Sequence, residues 1–227
     1  MRRLAAALVV LACAACVGCG ESSGDKAAPL RGEAGVAKRF DGIPQKGAFL
    51  GDPDAPFTLV EFADLQCPYC ARFDREFLPD VLDRMVRTGR IRIELRPVAF
   101  LGSDSSPAAA ATVAAGFQNR MWQFADLFYR NQGPENSGYV TPAFLGALAR
   151  AAELDFDRWQ DESNSERLVA ILDRNARAAH TARITGTPGF RVGRTGGVLV
   201  PFAEGPTAPI DFVPKLRRTL SQLKPEG

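Results

Sequence analysis

The chain has 227 residues, enough for one sizeable domain or two small ones. Its 46% hydrophobic and 24% charged residues make an ordinary globular composition able to build a core. A formal net charge of +2 is too small to point to a nucleic-acid partner or an acidic surface, and a single histidine, His180, excludes a zinc site built on several imidazoles.

Met1-Arg2-Arg3 is a short basic head, and Leu4 to Gly18 is apolar and alanine-rich. Charge and length together predict a secretory signal over residues 1–18, too short to span a bilayer comfortably. Small residues precede two of its cysteines, Ala15 before Cys16 and Gly18 before Cys19. That is the pattern of a bacterial lipoprotein signal, in which either Cys19 or Cys16 is lipidated and anchors the chain to a membrane. A plain cleaved signal is the alternative. Both place the product outside the cytoplasm, in the cell envelope or periplasm, where disulfides persist.

Glu21 to about Phe40 mixes Gly, Ser, Lys, Ala and Glu without periodicity, so residues 19–42 are expected to be a flexible tether. The folded domain is expected over 43–226. Gly51 to Pro56 is turn-rich, and Phe57 to Ala63 is apolar and β-prone. Cys67-Pro68-Tyr69-Cys70 follows, with Pro68 suited to a first helical position because its missing N–H would be unpaired there. The helix runs to about Arg87 with Pro79 inside it, which predicts a kink a few residues earlier. Ile91 to Arg96 alternates strictly, a strand with Ile91, Ile93 and Leu95 on one face, so the first half is a β-α-β unit with a parallel pair.

From about 105 to 184 the pattern is helical, with predicted helices at Ser106–Gly116, Met121–Arg130, Pro142–Ala152, Phe156–Asp161 and Glu166–Ala182. Strands return at Gly189–Val192 and Val198–Phe202 around a glycine-rich turn, and Asp211 to Leu223 is a closing amphipathic helix. The order is β-α-β, a helical insertion, then β-β-α.

Beyond Cys13, Cys16 and Cys19 at the N-terminus only Cys67 and Cys70 remain, at a strand-to-helix junction. Cys67 at a helix N-terminus meets unpaired N–H groups and the positive end of the macrodipole. Both favour a thiolate, so Cys67 is the candidate exchanging nucleophile and the more covered Cys70 the resolving thiol. A structural disulfide and half of a metal site are the competing readings. A zinc site needs about four ligands and no second cysteine pair exists. Haem attachment needs histidine directly after the second cysteine, where Ala71 stands. No metal is expected.

Thr185-Gly186-Thr187-Pro188 opens the strand after the helical block. The strand–CPYC–helix unit, this Gly-Thr-Pro before a late hairpin, and the closing helix resemble the thioredoxin superfamily. The helical insertion, with Ala114-Ala115-Gly116-Phe117-Gln118 and Met121-Trp122-Gln123-Phe124, resembles its DsbA-like branch of thiol:disulfide oxidoreductases. The resemblance implies an α/β thioredoxin-like fold and a cis Pro188 beside the dithiol. It also implies a substrate platform of Pro68, Tyr69, Thr187 and Pro188, and a buried acid at Glu61 that handles the proton of Cys70. An ordinary strand-end carboxylate is the other reading of Glu61, and Asp64 is a weaker candidate for its role.

Arg191 departs from the branch, which carries an apolar residue there; it could stabilise a thiolate, pair with Glu61 or reach solvent, and solvent is the expectation. No dissociable cofactor is implied, since electrons pass between sulfurs. The partners implied are exported cysteine-containing proteins and a membrane redox partner that resets the pair. The expected activity is oxidation of exported proteins; the alternatives are an isomerase or reductant, or a lipid-anchored binding or chaperone module on the same fold.

Overall fold

A computed structural model describes residues 30–204 and 211–223. The signal over 1–18, the lipidation candidates Cys16 and Cys19, and the first part of the expected tether lie outside the described residues.

One six-stranded sheet organises the chain, in the order β1-β2-β4-β3-β5-β6. The central strand β3 (Phe57–Ala63) runs parallel to β4 (Ile91–Pro97) and antiparallel to β5 (Gly189–Arg194), which pairs with β6 (Val200–Glu204). The parallel β3–β4 pair requires a crossover, and the helical run after Cys67 supplies it. The short β1 (Gln45–Lys46) and β2 (Phe49–Leu50) hairpin, unforeseen from sequence, adds to the free edge of β4.

Alternation along β3 divides the interior. Leu59 and Ala63 face the large core, while Val60 and Phe62 face a small one with Val98, Ala179 and Ile184. Glu61 follows Leu59 and Ala63 by the two-residue period, so its carboxyl enters the large core. β4 keeps the expected alternation, with Ile91, Ile93 and Leu95 buried and Arg92, Glu94 and Arg96 half-buried.

The helical run after Cys67 is α2 (Pro68–Arg72), a π-helical turn (Phe73–Phe77), α3 (Leu78–Val81) and a second π-helical turn (Leu82–Val86). The first π turn lies where the proline was expected to disturb the helix: Pro79 has no N–H to give the ladder one turn back, and the backbone widens there. Phe73 then packs on Phe190 and Phe212, with ring centroids 4.7 and 5.1 Å apart.

The helical block comprises α4 (Ser105–Gly116), α5 (Met121–Arg130), α6 (Pro142–Ala151), α7 (Phe156–Glu162) and α8 (Glu166–Thr181). Three of these helices begin on side-chain caps: Thr141, Asp155 and Ser165 accept from the N–H groups of Phe144, Arg158 and Leu168. The closing helix α9 (Phe212–Gln222) buries Phe212, Val213, Leu216 and Leu220, with Phe212 packed on Phe73 of the π turn and Phe190 of β5.

The tether expectation needs correction over its second half. Residues Glu33–Phe40 form a helix, α1, whose Val36 and Phe40 are buried in the main core. The packed domain therefore begins before residue 43. β5 extends two residues further than expected because Gly193 and Arg194 pair with Thr58 and Phe57. That displaces the start of β6 to Val200. Gly193 is required there: a Cβ would run into the Val198 carbonyl.

Candidate active site

Cys67 is the residue that caps α2, with φ −68° and ψ 120°, so its side chain lies over the first turn of the helix. Pro68 occupies the first helical position. Cys67 and Cys70 are both free thiols, 4% and 0% exposed. Pro68 and Tyr69 between them are exposed, so the surface at this point is formed by the dipeptide rather than by the sulfurs. The peptide bond between Thr187 and Pro188 is cis. Both residues are buried, and the Cys67 thiol donates to the Thr187 carbonyl at 3.2 Å. Residues 120 positions apart thus meet across the sheet end.

The two thiols are driven apart electrostatically. Cys67 is lowered from 9.0 to about 6, chiefly by a hydrogen bond from the Cys70 thiol. Burial opposes that shift, and the Thr187 side chain and the N–H groups of Cys70 and Tyr69 reinforce it. Cys70 is pushed well up, first by burial and then by its bond and its charge interaction with Cys67. One cysteine is a thiolate near neutral pH; its partner stays protonated and donates to it.

Glu61 sits beneath this pair, 3% exposed. Burial raises its pKa well above the carboxylate range, and the charges of Asp74 and Cys67 push further in the same direction. Asp74 is buried on the π turn, one helical turn beyond Cys70; burial raises it too, against the pull of Arg39 and Arg130. Tyr129, from α5, has a buried hydroxyl with no hydrogen-bond partner and interacts electrostatically with Cys70 and Glu61. The strand period places Glu61 on the helix side, but Asp74 reads as an ordinary helix-surface acid until the π turn rotates it inward. Tyr129 reads as core.

Asp64 has a different task from Glu61. Its two oxygens accept from the N–H groups of Gln66, Phe100 and Leu101 and from the Ser105 hydroxyl, at 2.7 to 3.0 Å. A carboxylate so fully bonded fastens the loop after β4 to the approach to Cys67.

Arg191 is not at solvent. It is 5% exposed, donates to the carbonyls of Phe190 and Ala182, and lies 3.8 Å from Glu204. It stands opposite Val60 in the β3–β5 register, on the face away from Glu61, so the two do not pair. His180 is exposed on α8.

A family model described as thioredoxin matches residues 44–196, more than half of the chain. The chain is 26% identical over 147 residues to a probable disulfide bond formation protein D of Bacillus cereus, covering 63% of this chain and 68% of that protein. Its fold superposes on the BdbD protein of Bacillus subtilis with a TM-score of 0.64 at 21% identity, covering 79% of this chain and 96% of that one. Chlamydia trachomatis DsbA gives a TM-score of 0.64 at 23% identity, covering 78% and 93%. The likeness to these two structures speaks for fold. The chain belongs to the thioredoxin family; it is a thiol:disulfide oxidoreductase, with the fold that the DsbA structure shares.

Proposed function

We propose that this chain is an exported, lipid-anchored thiol:disulfide oxidoreductase that forms disulfides in other exported proteins through Cys67 and Cys70. The observation that carries the reading is the asymmetry of the two thiols: Cys67 is held at about 6 chiefly by the hydrogen bond from the Cys70 thiol, whose own pKa burial pushes well up. A thiolate so stabilised is a good leaving group and favours the reduced form of the couple, which is what an oxidant requires.

In the oxidising direction a substrate thiolate attacks Sγ of Cys67 in the Cys67–Cys70 disulfide. The electrons of that bond leave on Cys70, whose buried sulfur takes a proton, and Glu61, whose pKa burial raises, supplies it. A second substrate thiolate attacks the substrate sulfur of the mixed disulfide and expels Cys67 as a thiolate. The substrate has then lost two electrons, the dithiol carries them, and a membrane redox partner removes them to restore the disulfide. Pro68 and Tyr69 at the surface, with Thr187 and Pro188 behind them, form the platform on which an extended substrate segment lies. Export and anchoring rest on the basic head, the apolar run and the small residues before Cys16 and Cys19.

Oxidative refolding of a reduced substrate tests the activity. The wild-type chain is expected to accelerate it and Cys67→Ala to abolish the effect; equal rates for the two would overturn the redox assignment. Direction is read from the reduction potential of the couple. Cysteines of this kind range from about 3.5 in the strongest oxidant to about 7 in a reductant, and the Cys67 value lies between them, which favours a milder oxidant than the extreme of about −120 mV. Fatty-acid incorporation in Cys16→Ala and Cys19→Ala tests the anchor: one of the two should lose the label, and label retained in both, singly and combined, removes the lipoprotein reading.

A further inference from the structure

The loop that brings Thr187 to the dithiol is held by a carboxylate from the edge strand β6. After α8 the chain passes through residues 182–188 before β5 begins. The N–H groups of Arg183 and Ile184 still bond backward, to the carbonyls of His180 and Ala179. The next two, of Thr185 and Gly186, take a side chain as acceptor instead. Both donate to Oε1 of Glu204, at 2.5 and 2.9 Å, and the Thr185 hydroxyl donates to the same oxygen at 2.8 Å. Three donors on one carboxylate oxygen fix the loop just before Thr187, whose carbonyl receives the Cys67 thiol.

Strand register explains how Glu204 comes to stand there. Gly189 faces Glu204 and Phe190 faces Ala203, but Arg191 faces Pro201, so Phe202 is an extra residue on β6. A bulge of this kind re-aims the side chains that follow it. In a regular ladder Glu204 would share the face of Phe190; the bulge turns it onto the face of Gly189 and Arg191. There Arg191 Nη2 lies 3.8 Å from Glu204 Oε2 and also donates to the Ala182 carbonyl, where the loop starts. Gly189 keeps the corner tight, since a Cβ on it would come within 2.8 Å of the Ile184 side chain.

We propose that Glu204 is a positioning residue for substrate binding: it holds Thr185 and Gly186 so that the Thr187 backbone stays aligned to receive an extended substrate segment beside Cys67. Arg191 supplies the counter-charge and anchors the same loop at Ala182. The inference rests on the reading of Thr187 and Pro188 as the substrate platform.

A segment that adds to an exposed backbone edge binds well when that edge is already in place, because no loop has to be ordered on binding. Glu204 acts through the loop and not on the sulfurs. Its loss therefore falls on substrates that pair with the Thr187 backbone, and far less on a small dithiol that reaches Cys67 without doing so.

The test uses the full chain in its disulfide form. Oxidation of a reduced two-cysteine peptide is compared with oxidation of dithiothreitol, which is too small to pair along the loop. Glu204→Ala should raise the KM for the peptide by about tenfold with little change in kcat, and lower the ratio of peptide to dithiothreitol rates accordingly. Glu204→Gln keeps an oxygen that accepts the same three donors, so its KM should return to within about threefold of wild type. Amide hydrogen exchange at Thr185 and Gly186 should quicken in Glu204→Ala and return toward wild type in Glu204→Gln. A purely structural role would slow peptide and dithiothreitol alike, in step with a lower unfolding midpoint. That result, or a peptide KM unmoved in Glu204→Ala, overturns the inference. A peptide methylated on the backbone nitrogens flanking its reactive cysteine tests the platform itself. If methylation leaves the wild-type KM unchanged, it is the platform reading that fails; a KM that depends on those N–H groups but is indifferent to Glu204 rejects the positioning role alone.

Discussion

Cys67 gains its ionised form from neighbours that exist only in the folded chain, so its acidity is also a statement about stability. Its pKa falls from 9.0 to about 6 on folding. A lowered pKa contributes stability that is fully present above the unfolded value and is lost as pH falls through the folded one. The reduced protein should therefore gain stability between about pH 6 and pH 9 relative to Cys67→Ala, and urea unfolding of both across that window is the check. Glu61 has the opposite sign. Burial raises its pKa above 4.5, so the wild-type chain loses stability as pH climbs past that value, and Glu61→Gln does not. The gap in favour of Glu61→Gln should widen from acid to neutral pH, while general-acid loss slows Cys70 release by roughly 100-fold. A gap that narrows instead would mean that the carboxylate is stabilised in place.

At the scale of elements, what the sequence disclosed depended on how strongly each pattern repeats. The strand Phe57–Ala63 and the helix Met121–Arg130 were legible to the residue because an apolar run or an amphipathic face defines both ends. Helix α1 was not. It has only Val36 and Phe40 on its inner face, too few for a period to show, and its polar composition imitates a linker. Its value lies in what it touches. Phe40 is fully packed in the main core, and Phe40→Ala should cost about 3–5 kcal/mol by chemical denaturation, far more than a change in a solvated tether. The π turn was half legible: Pro79 announces a disturbance, but nothing local says that the disturbance rotates Asp74 inward. Charged groups beneath the thiols therefore escaped notice, whereas the thiols themselves, and Glu61 through the family resemblance, did not.

The whole molecule depends on a few long-range ties between its two halves. Asp64 is one: it stands at the end of the β3 approach and bonds the loop after β4 and the first residue of α4, so the helical block starts from the sheet's own active-site edge. Asp64→Ala removes the acceptor of four buried or half-buried donors. The expected loss is about 3 kcal/mol or more, measured as a fall in the urea midpoint, with the exchange rate declining in parallel because the approach to Cys67 loosens. A variant as stable as wild type would show that water replaces the carboxylate. Such ties link residues dozens of positions apart, and no periodicity in the sequence reports them.

Helix α1 also fixes how the domain bears mechanical load. A pull on the N-terminus reaches Arg31 first, which is bonded in both directions to Asn131 at 2.9 and 3.0 Å, then Arg39, and then the carbonyls of Arg39 and Asp41 gripped by Arg87. The fastenings attach at the end of α5, at the π turn after α2 and just past the second π turn. Tension along that line shears α1 from its bed before it meets the β3–β5 ladder. The dithiol and Thr187 would thus hold their register under a force that peels the first helix away, and the earliest rupture under traction should be a small step of the length of α1 alone.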